Sequence, residues 1–71
     1  GNVVLNDKEL MLKVFKTQKT DKATSLAPGE LFAEKGHLYV SCADSLLEIL
    51  HLQQSGKKRM SAKDFINGQR L

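Results

Sequence analysis

The chain opens with a short apolar run, Val3-Val4-Leu5, then a polar turn cluster, Asn6-Asp7-Lys8, and then a stretch from Glu9 to Thr17 in which apolar and polar positions alternate. Alternation puts Leu10, Leu12 and Val14 on one face and Met11, Lys13 and Phe15 on the other, which predicts a hairpin with one face turned to a core. Phe15 has two readings here: a platform for a stacked base, or a residue covered by a C-terminal helix. Gln18 to Ser25 is polar and lacks an apolar period, so it predicts a surface loop carrying Lys19 and Lys22. Ala27-Pro28-Gly29 predicts a tight turn, with Pro28 presetting the backbone and Gly29 supplying positive φ. A short strand over Glu30 to Ala33 and a turn at Glu34-Lys35-Gly36 follow. His37 to Ala43 then alternates again, with Leu38, Val40 and Cys42 facing one way and His37, Tyr39 and Ser41 the other.

Residues 44–54 carry two conflicting signals. Ser45 with Glu48 three positions on reads as a capping box, and Leu46, Leu47, Ile49 and Leu50 form a helical face. Read as a strand, Leu47 and Ile49 share a face but Leu52 falls on the other, which requires a β-bulge near Leu50 or His51. The last twenty residues are clearer. Gly56-Lys57-Lys58-Arg59 is a glycine turn with three consecutive cations, Ser61 is a natural N-cap, and Asp64 is placed for a weaker capping box. Phe65 and Ile66 would face the core of a short helix, with Asn67-Gly68 as its left-handed stop. Short strands separated by turns, with one helix near the C-terminus, predict a mainly β protein: a small closed or partly open barrel of about five or six strands.

Seventy-one residues make one domain, with no more than about 60% of the unfolded chain's surface available for burial. The first residue is not Met, so we expect a piece of a longer chain, with Gly1-Asn2 as a remnant of processing or cloning. The lone Cys42 excludes an internal disulfide framework and reads as a small buried residue. His37, Cys42 and His51 lack the paired spacing of a zinc site. No apolar run reaches the length of a transmembrane helix.

The net charge of +3 is modest, but its distribution is not. Residues 8–22 hold five lysines against Glu9 and Asp21, and residues 51–71 hold Lys57, Lys58, Arg59, Lys63 and Arg70 against Asp64 alone. The stretch between them holds Lys35 against four acids. If the two basic ends meet in the fold, they form one basic face, the footprint of a polyanion binder. The candidate binding residues are Lys57, Lys58, Arg59 and Lys63, backed by Lys13, Lys16 and Arg70. His37 reads as an exposed strand residue, without the oriented partner and pocket that a general base needs. Asp44, Glu48 and His51 are close in sequence, but Glu48 and His51 lie on opposite faces of a strand unless the bulge intervenes.

The C-terminal stretch Leu52-Gln53-x-x-Gly56-Lys57-Lys58-x-Met60-Ser61-Ala62-x-Asp64-Phe65 resembles the C-terminal domain of the methionyl-tRNA formyltransferase family. Lys13-Val14-Phe15-Lys16, Ala27-Pro28-Gly29, Leu38-Tyr39-Val40, and Asp44 followed by Leu47 and Ile49 fit that domain in order and spacing, so the resemblance covers nearly the whole chain. Ser45 departs from it, standing where the family has glycine, and leaves the turn there open. The resemblance implies an OB-like barrel and a strand, not a helix, over residues 44–54, and we adopt the strand with its bulge.

The resemblance further implies a tRNA-binding module without catalytic residues, metal or cofactor of its own. Its parent enzyme would carry a separate N-terminal catalytic domain that uses 10-formyltetrahydrofolate, in the cytoplasm or an organelle matrix and away from membranes. Related barrels follow the catalytic domains of sugar-nucleotide and formyl-folate enzymes, where the domain would pack on its catalytic neighbour rather than bind tRNA. A third reading, a free-standing protein-interaction barrel, predicts an exposed apolar patch around Met11, Phe15 and Met60.

Overall fold

A computed structural model describes all of residues 1–71. Six strands and one helix follow in the order β1 (Asn2–Leu5), β2 (Lys8–Ala23), β3 (Leu31–Glu34), β4 (His37–Ser41), β5 (Ser45–Gln54), β6 (Arg59–Ser61) and α1 (Ala62–Gln69). The strands pair antiparallel in the order β1-β2-β5-β4-β3, with β6 beside β5. The sheet curls until β3 approaches β1. There a single parallel bridge, Val4 to Glu30, with the Val4 N–H donating to the Gly29 carbonyl at 2.9 Å, spans the gap. The protein is therefore mainly β and barrel-like, with an open seam between β1 and β3.

Local chemistry sets the corners. The β1–β2 hairpin closes through Asn6 and Asp7 and the β3–β4 hairpin through Lys35 and Gly36, all four at positive φ, as two-residue turns of the type I′ class require. At Ala27-Pro28-Gly29-Glu30 the Glu30 N–H returns to the Ala27 carbonyl at 3.1 Å, and Gly29 sits at φ +90 in the third position, the signature of a type II turn. The Glu30 carboxylate tightens this turn by accepting from the Ala27 N–H at 2.8 Å. Ser45 begins β5 without positive φ, so this corner does not need glycine's freedom.

Every element except β6 contributes to a core of Val3, Leu5, Leu12, Leu31, Leu38, Ile49, Leu52, Ala62, Phe65 and Ile66, and β6 adds the partly buried Met60. Helix α1 packs on β4, β5 and β6. It starts as its sequence predicts, with the Ser61 hydroxyl accepting from the Asp64 N–H at 3.2 Å. Its end differs from expectation. Asn67 and Gly68 stay helical, and Arg70 takes the left-handed cap at φ 58. Packing of Phe65 and Ile66 holds the last turn, outweighing the roughly 1 kcal/mol that Gly68 costs a helix.

Three further expectations are corrected. Residues 18–23 are not a loop: β2 continues to Ala23, because Gln18, Lys19 and Ala23 pair with Glu48, Leu47 and Ser45. The backbone ladder imposes a strand on a segment that has no apolar period. Tyr39, assigned to the outer face, does point outward yet is only 5% exposed, because Phe32, His37 and the Lys22 ammonium lie against it. Cys42 lies just past β4 and is half-buried rather than in the core.

Residues 44–54 are a strand, and the bulge is real. From Val14 to Lys16, two steps along β2 match one along β5, Leu52 to His51. From Lys16 to Thr17, one step matches two, His51 to Ile49. The unpaired residues are Phe15 and Leu50, and the second bulge brings Ile49 and Leu52 onto the same face, where both are fully buried. Leu46 is buried on the opposite face, beside Leu26 and Phe32. The helix-like spacing of Leu46, Ile49 and Leu52 thus comes from two faces and one bulge.

Two stability outcomes follow from this packing. Phe65→Ala removes the largest fully buried side chain and should cost about 3–5 kcal/mol. A domain of this size holds roughly 4–10 kcal/mol in total, so urea titration followed by circular dichroism should find the variant largely or wholly unfolded. Lys35→Asn gives the β3–β4 turn the residue best suited to its left-handed geometry, and it should raise stability by about 1 kcal/mol in the same titration.

Candidate functional site

Cross-strand partners share a face of a sheet, so register shows which of the predicted cations meet. Lys13 pairs with Gln53, and Gln53 with Arg59, giving one row across β2, β5 and β6. Lys16 pairs with His51, and His51 with Ser61, giving the next row. Plain alternation would place Lys16 on the core side with Val14. The extra residue at Phe15 reverses the phase and turns Lys16 outward. Phe15 itself is 41% exposed and is not covered by the helix: the Arg59 guanidinium lies over its ring, 4.4 Å from the centroid. Early and late cations therefore share this outer face, with an aromatic ring between them.

The other candidates lie around its rim. Lys57 and Lys58 sit in the β5–β6 turn, where the Lys57 N–H donates to the Gln54 carbonyl at 2.9 Å and Gly56 takes φ +81. The Gln53 Nε2 donates to the Lys57 carbonyl at 2.9 Å, so the backbone of Lys57 is held at both its polar groups. On the far side of this turn, Lys57 lines a depression of about 310 Å³ with Lys8, Gln54 and Gln69. Arg70 caps α1 between Gln69 and Leu71, which both line this depression, and belongs to neither row. Lys63 is exposed in the first turn of α1 and belongs to neither row. A shallow cleft of about 330 Å³, lined by Met11, Lys13, Gln53 and Ser55 among others, adjoins the first row.

The structure's one ion pair joins His37 Nδ1 to Glu48 Oε2 at 2.6 Å, so every lysine and arginine is without a carboxylate partner. The rows themselves contain no acid: their other members are Gln53, His51 and Ser61. From Lys13 onward, one edge of β2 has no strand beside it, since β1 ends at the level of Met11 and the Gly1 carbonyl reaches only the Leu12 N–H. Lys13, Lys16, Lys19 and Lys22 recur along this strand at every third position. A row of lysines on an open edge also keeps a second chain from pairing there.

Sequence reasoning missed several members of these surfaces. His51 and Gln53 join the cationic rows only through register. A second outward cluster, Lys22, Phe32, His37, Tyr39 and Glu48, lies farther along the same sheet. It provides the oriented partner for His37 that the sequence did not reveal. That partner is Glu48, eleven residues away. No linear signal connects the two; only the pairing of β4 with β5 does.

The sequence profile described as "Formyl transferase, C-terminal domain" matches residues 2–70. The chain belongs to this family. It is 43% identical over 60 residues to the methionyl-tRNA formyltransferase of Coprothermobacter proteolyticus, a match covering 84% of this chain and 20% of that protein. The methionyl-tRNA formyltransferase of Lactobacillus delbrueckii subsp. bulgaricus is 44% identical over 59 residues, covering 82% of this chain and 19% of that protein. The one from Methylococcus capsulatus is 41% identical over 61 residues, covering 86% and 20%. The chain thus spans about a fifth of the length of these relatives. As a formyl transferase C-terminal domain, it presents Lys13, Lys16 and Arg59 together on one face of its sheet.

The His37–Glu48 pair is an accessory of this face and not a support of the fold. His37 is 56% exposed at the side chain, and exposed pairs contribute about 1 kcal/mol or less. His37→Gln should therefore shift the urea midpoint only slightly, whereas Tyr39→Ala, which empties a buried position beside it, should shift it far more.

Proposed function

We propose that this chain is the tRNA-binding C-terminal module of a methionyl-tRNA formyltransferase, the enzyme that formylates the amino group of initiator methionyl-tRNA with 10-formyltetrahydrofolate. Formyl transfer belongs to an N-terminal catalytic domain of the same chain, working in the cytoplasm or an organelle matrix. No chemical step is assigned to these residues. Their task is to hold the nucleic acid and orient its acceptor arm toward that domain.

The observation that carries the reading is the register. It aligns Lys13, Lys16 and Arg59 in two adjacent acid-free rows of one face, with Lys57 and Lys58 at its edge. Cations on a rigid scaffold displace counterions from phosphates, which gives affinity without sequence reading. Holding the turn backbone at Lys57 limits the ordering entropy lost on binding. Lys63 and Arg70 extend the positive field beyond the sheet. Discrimination between tRNAs is left to the rest of the enzyme.

Titration of the 71-residue chain with initiator tRNA at several salt concentrations tests this. The logarithm of the binding constant should fall linearly with the logarithm of salt. Replacing Lys57 and Lys58 together with Ala should reduce the slope by roughly 2, by loss of two phosphate contacts. Binding that is indifferent to salt would remove the phosphate account, and an unchanged slope in the double variant would clear these two lysines of the role.

A further inference from the structure

We propose that Phe15 is a positioning residue: its ring holds the Arg59 guanidinium in the orientation in which it grips an RNA phosphate. The inference rests on the tRNA-binding reading and adds a part for a residue that carries no charge. Three observations lead to it. Phe15 is the extra residue of the β2 bulge, so no strand partner fixes its exposure, yet it stands 41% open to solvent beside the cationic rows. The Arg59 guanidinium covers it at 4.4 Å from the ring centroid, within the range where the negative face of the ring attracts a cation. Arg59 also has no carboxylate to hold it, so the ring is the feature of its surroundings that orients its charge.

The arrangement has a physical use. A free arginine side chain loses substantial rotamer freedom when it binds, and a planar guanidinium held in advance loses less. Stacking on an aromatic face occupies one side of the plane and leaves the N–H groups at its rim free to donate, two at a time, to phosphate oxygens. A carboxylate partner would orient Arg59 equally well but would consume those donors and cancel the charge. An aromatic ring orients it without doing either. Lys13 lies two strands away in the same row, across Gln53, so a phosphate seated at Arg59 meets a second cation.

The test compares Phe15→Leu, Arg59→Ala and the double variant in the 71-residue chain. Circular dichroism first establishes that each is folded; Leu retains apolar cover at the bulge. In the wild type, ring-current shifts of the Arg59 side-chain protons by NMR should report the stack without any RNA present, and they should vanish in Phe15→Leu. Their absence from the wild type would overturn the proposal while leaving the tRNA reading intact. With initiator tRNA, Phe15→Leu should weaken binding about two- to five-fold with little change in salt slope. Arg59→Ala should weaken it at least as much and reduce the slope by about 1. The double variant should bind like Arg59→Ala alone. A further loss in the double variant, equal to that of Phe15→Leu in the wild type, would mean that Phe15 acts independently of Arg59 and would overturn the positioning role. Wild-type binding that is indifferent to salt would instead strike the tRNA reading, with the NMR result still deciding the stack.

Discussion

The pairing of β2 with β5 carries most of this molecule, and it works because two bulges oppose each other. One residue, Phe15, is extra on β2, and one, Leu50, is extra on β5, so the ladder loses register for a single step and recovers it at the next. Each bulge reverses the inside–outside phase of its own strand. On β5 the reversal sends both Ile49 and Leu52 into the core, although three residues separate them. On β2 it turns Lys16 outward, where an unbroken strand would have directed it inward. Without the bulge at Leu50, Ile49 and Leu52 could not both face the core, and losing one of them would cost more than the one disrupted ladder position that the bulge introduces.

The same device shapes the surface. Bulges bend strands and sharpen their twist, and here the bend lies where the cationic rows cross the sheet. The residue released from the ladder is aromatic, and it becomes the seat of an arginine supplied by β6, across β5. The turn that carries Lys57 and Lys58 is fixed by a type II-like glycine corner and by the side chain of Gln53, itself a member of the first row. Core packing and charge display are therefore not separate properties of this domain. The register that buries Leu52 also sets Gln53 facing outward beside it, and Gln53 aligns Lys13 with Arg59.

The matched relatives are methionyl-tRNA formyltransferases of which the match covers about a fifth, so the domain accounts for one part of such a protein. The acid-free rows of cations give this part of the barrel face a positive field, the kind that attracts polyanions. The lysines along the open edge of β2 also discourage strand addition, which gives them a structural reason to be there whatever they bind.

Local sequence determined the features that depend on a few adjacent residues. These are the Ser61 cap, the Ala27-Pro28-Gly29 turn, the two hairpin corners, the alternation of β4 and the concentration of cations near both ends of the chain. Each is set by steric preference or by hydrogen bonds over three or four positions, so the chain encodes them without reference to distant parts. Tertiary structure decided the rest. Residues 18–23 became a strand only because β5 offered a ladder, and Arg70 took a left-handed cap only because Phe65 and Ile66 kept the preceding turn helical. Tyr39 was buried from outside by residues of two other strands, and β6, three residues long, exists only as a partner of β5. The meeting of Lys13, Lys16 and Arg59 likewise required a register that no local pattern specifies. A bulge changes phase by one residue, and its position is fixed by the energy of the whole packed sheet rather than by the residues that form it.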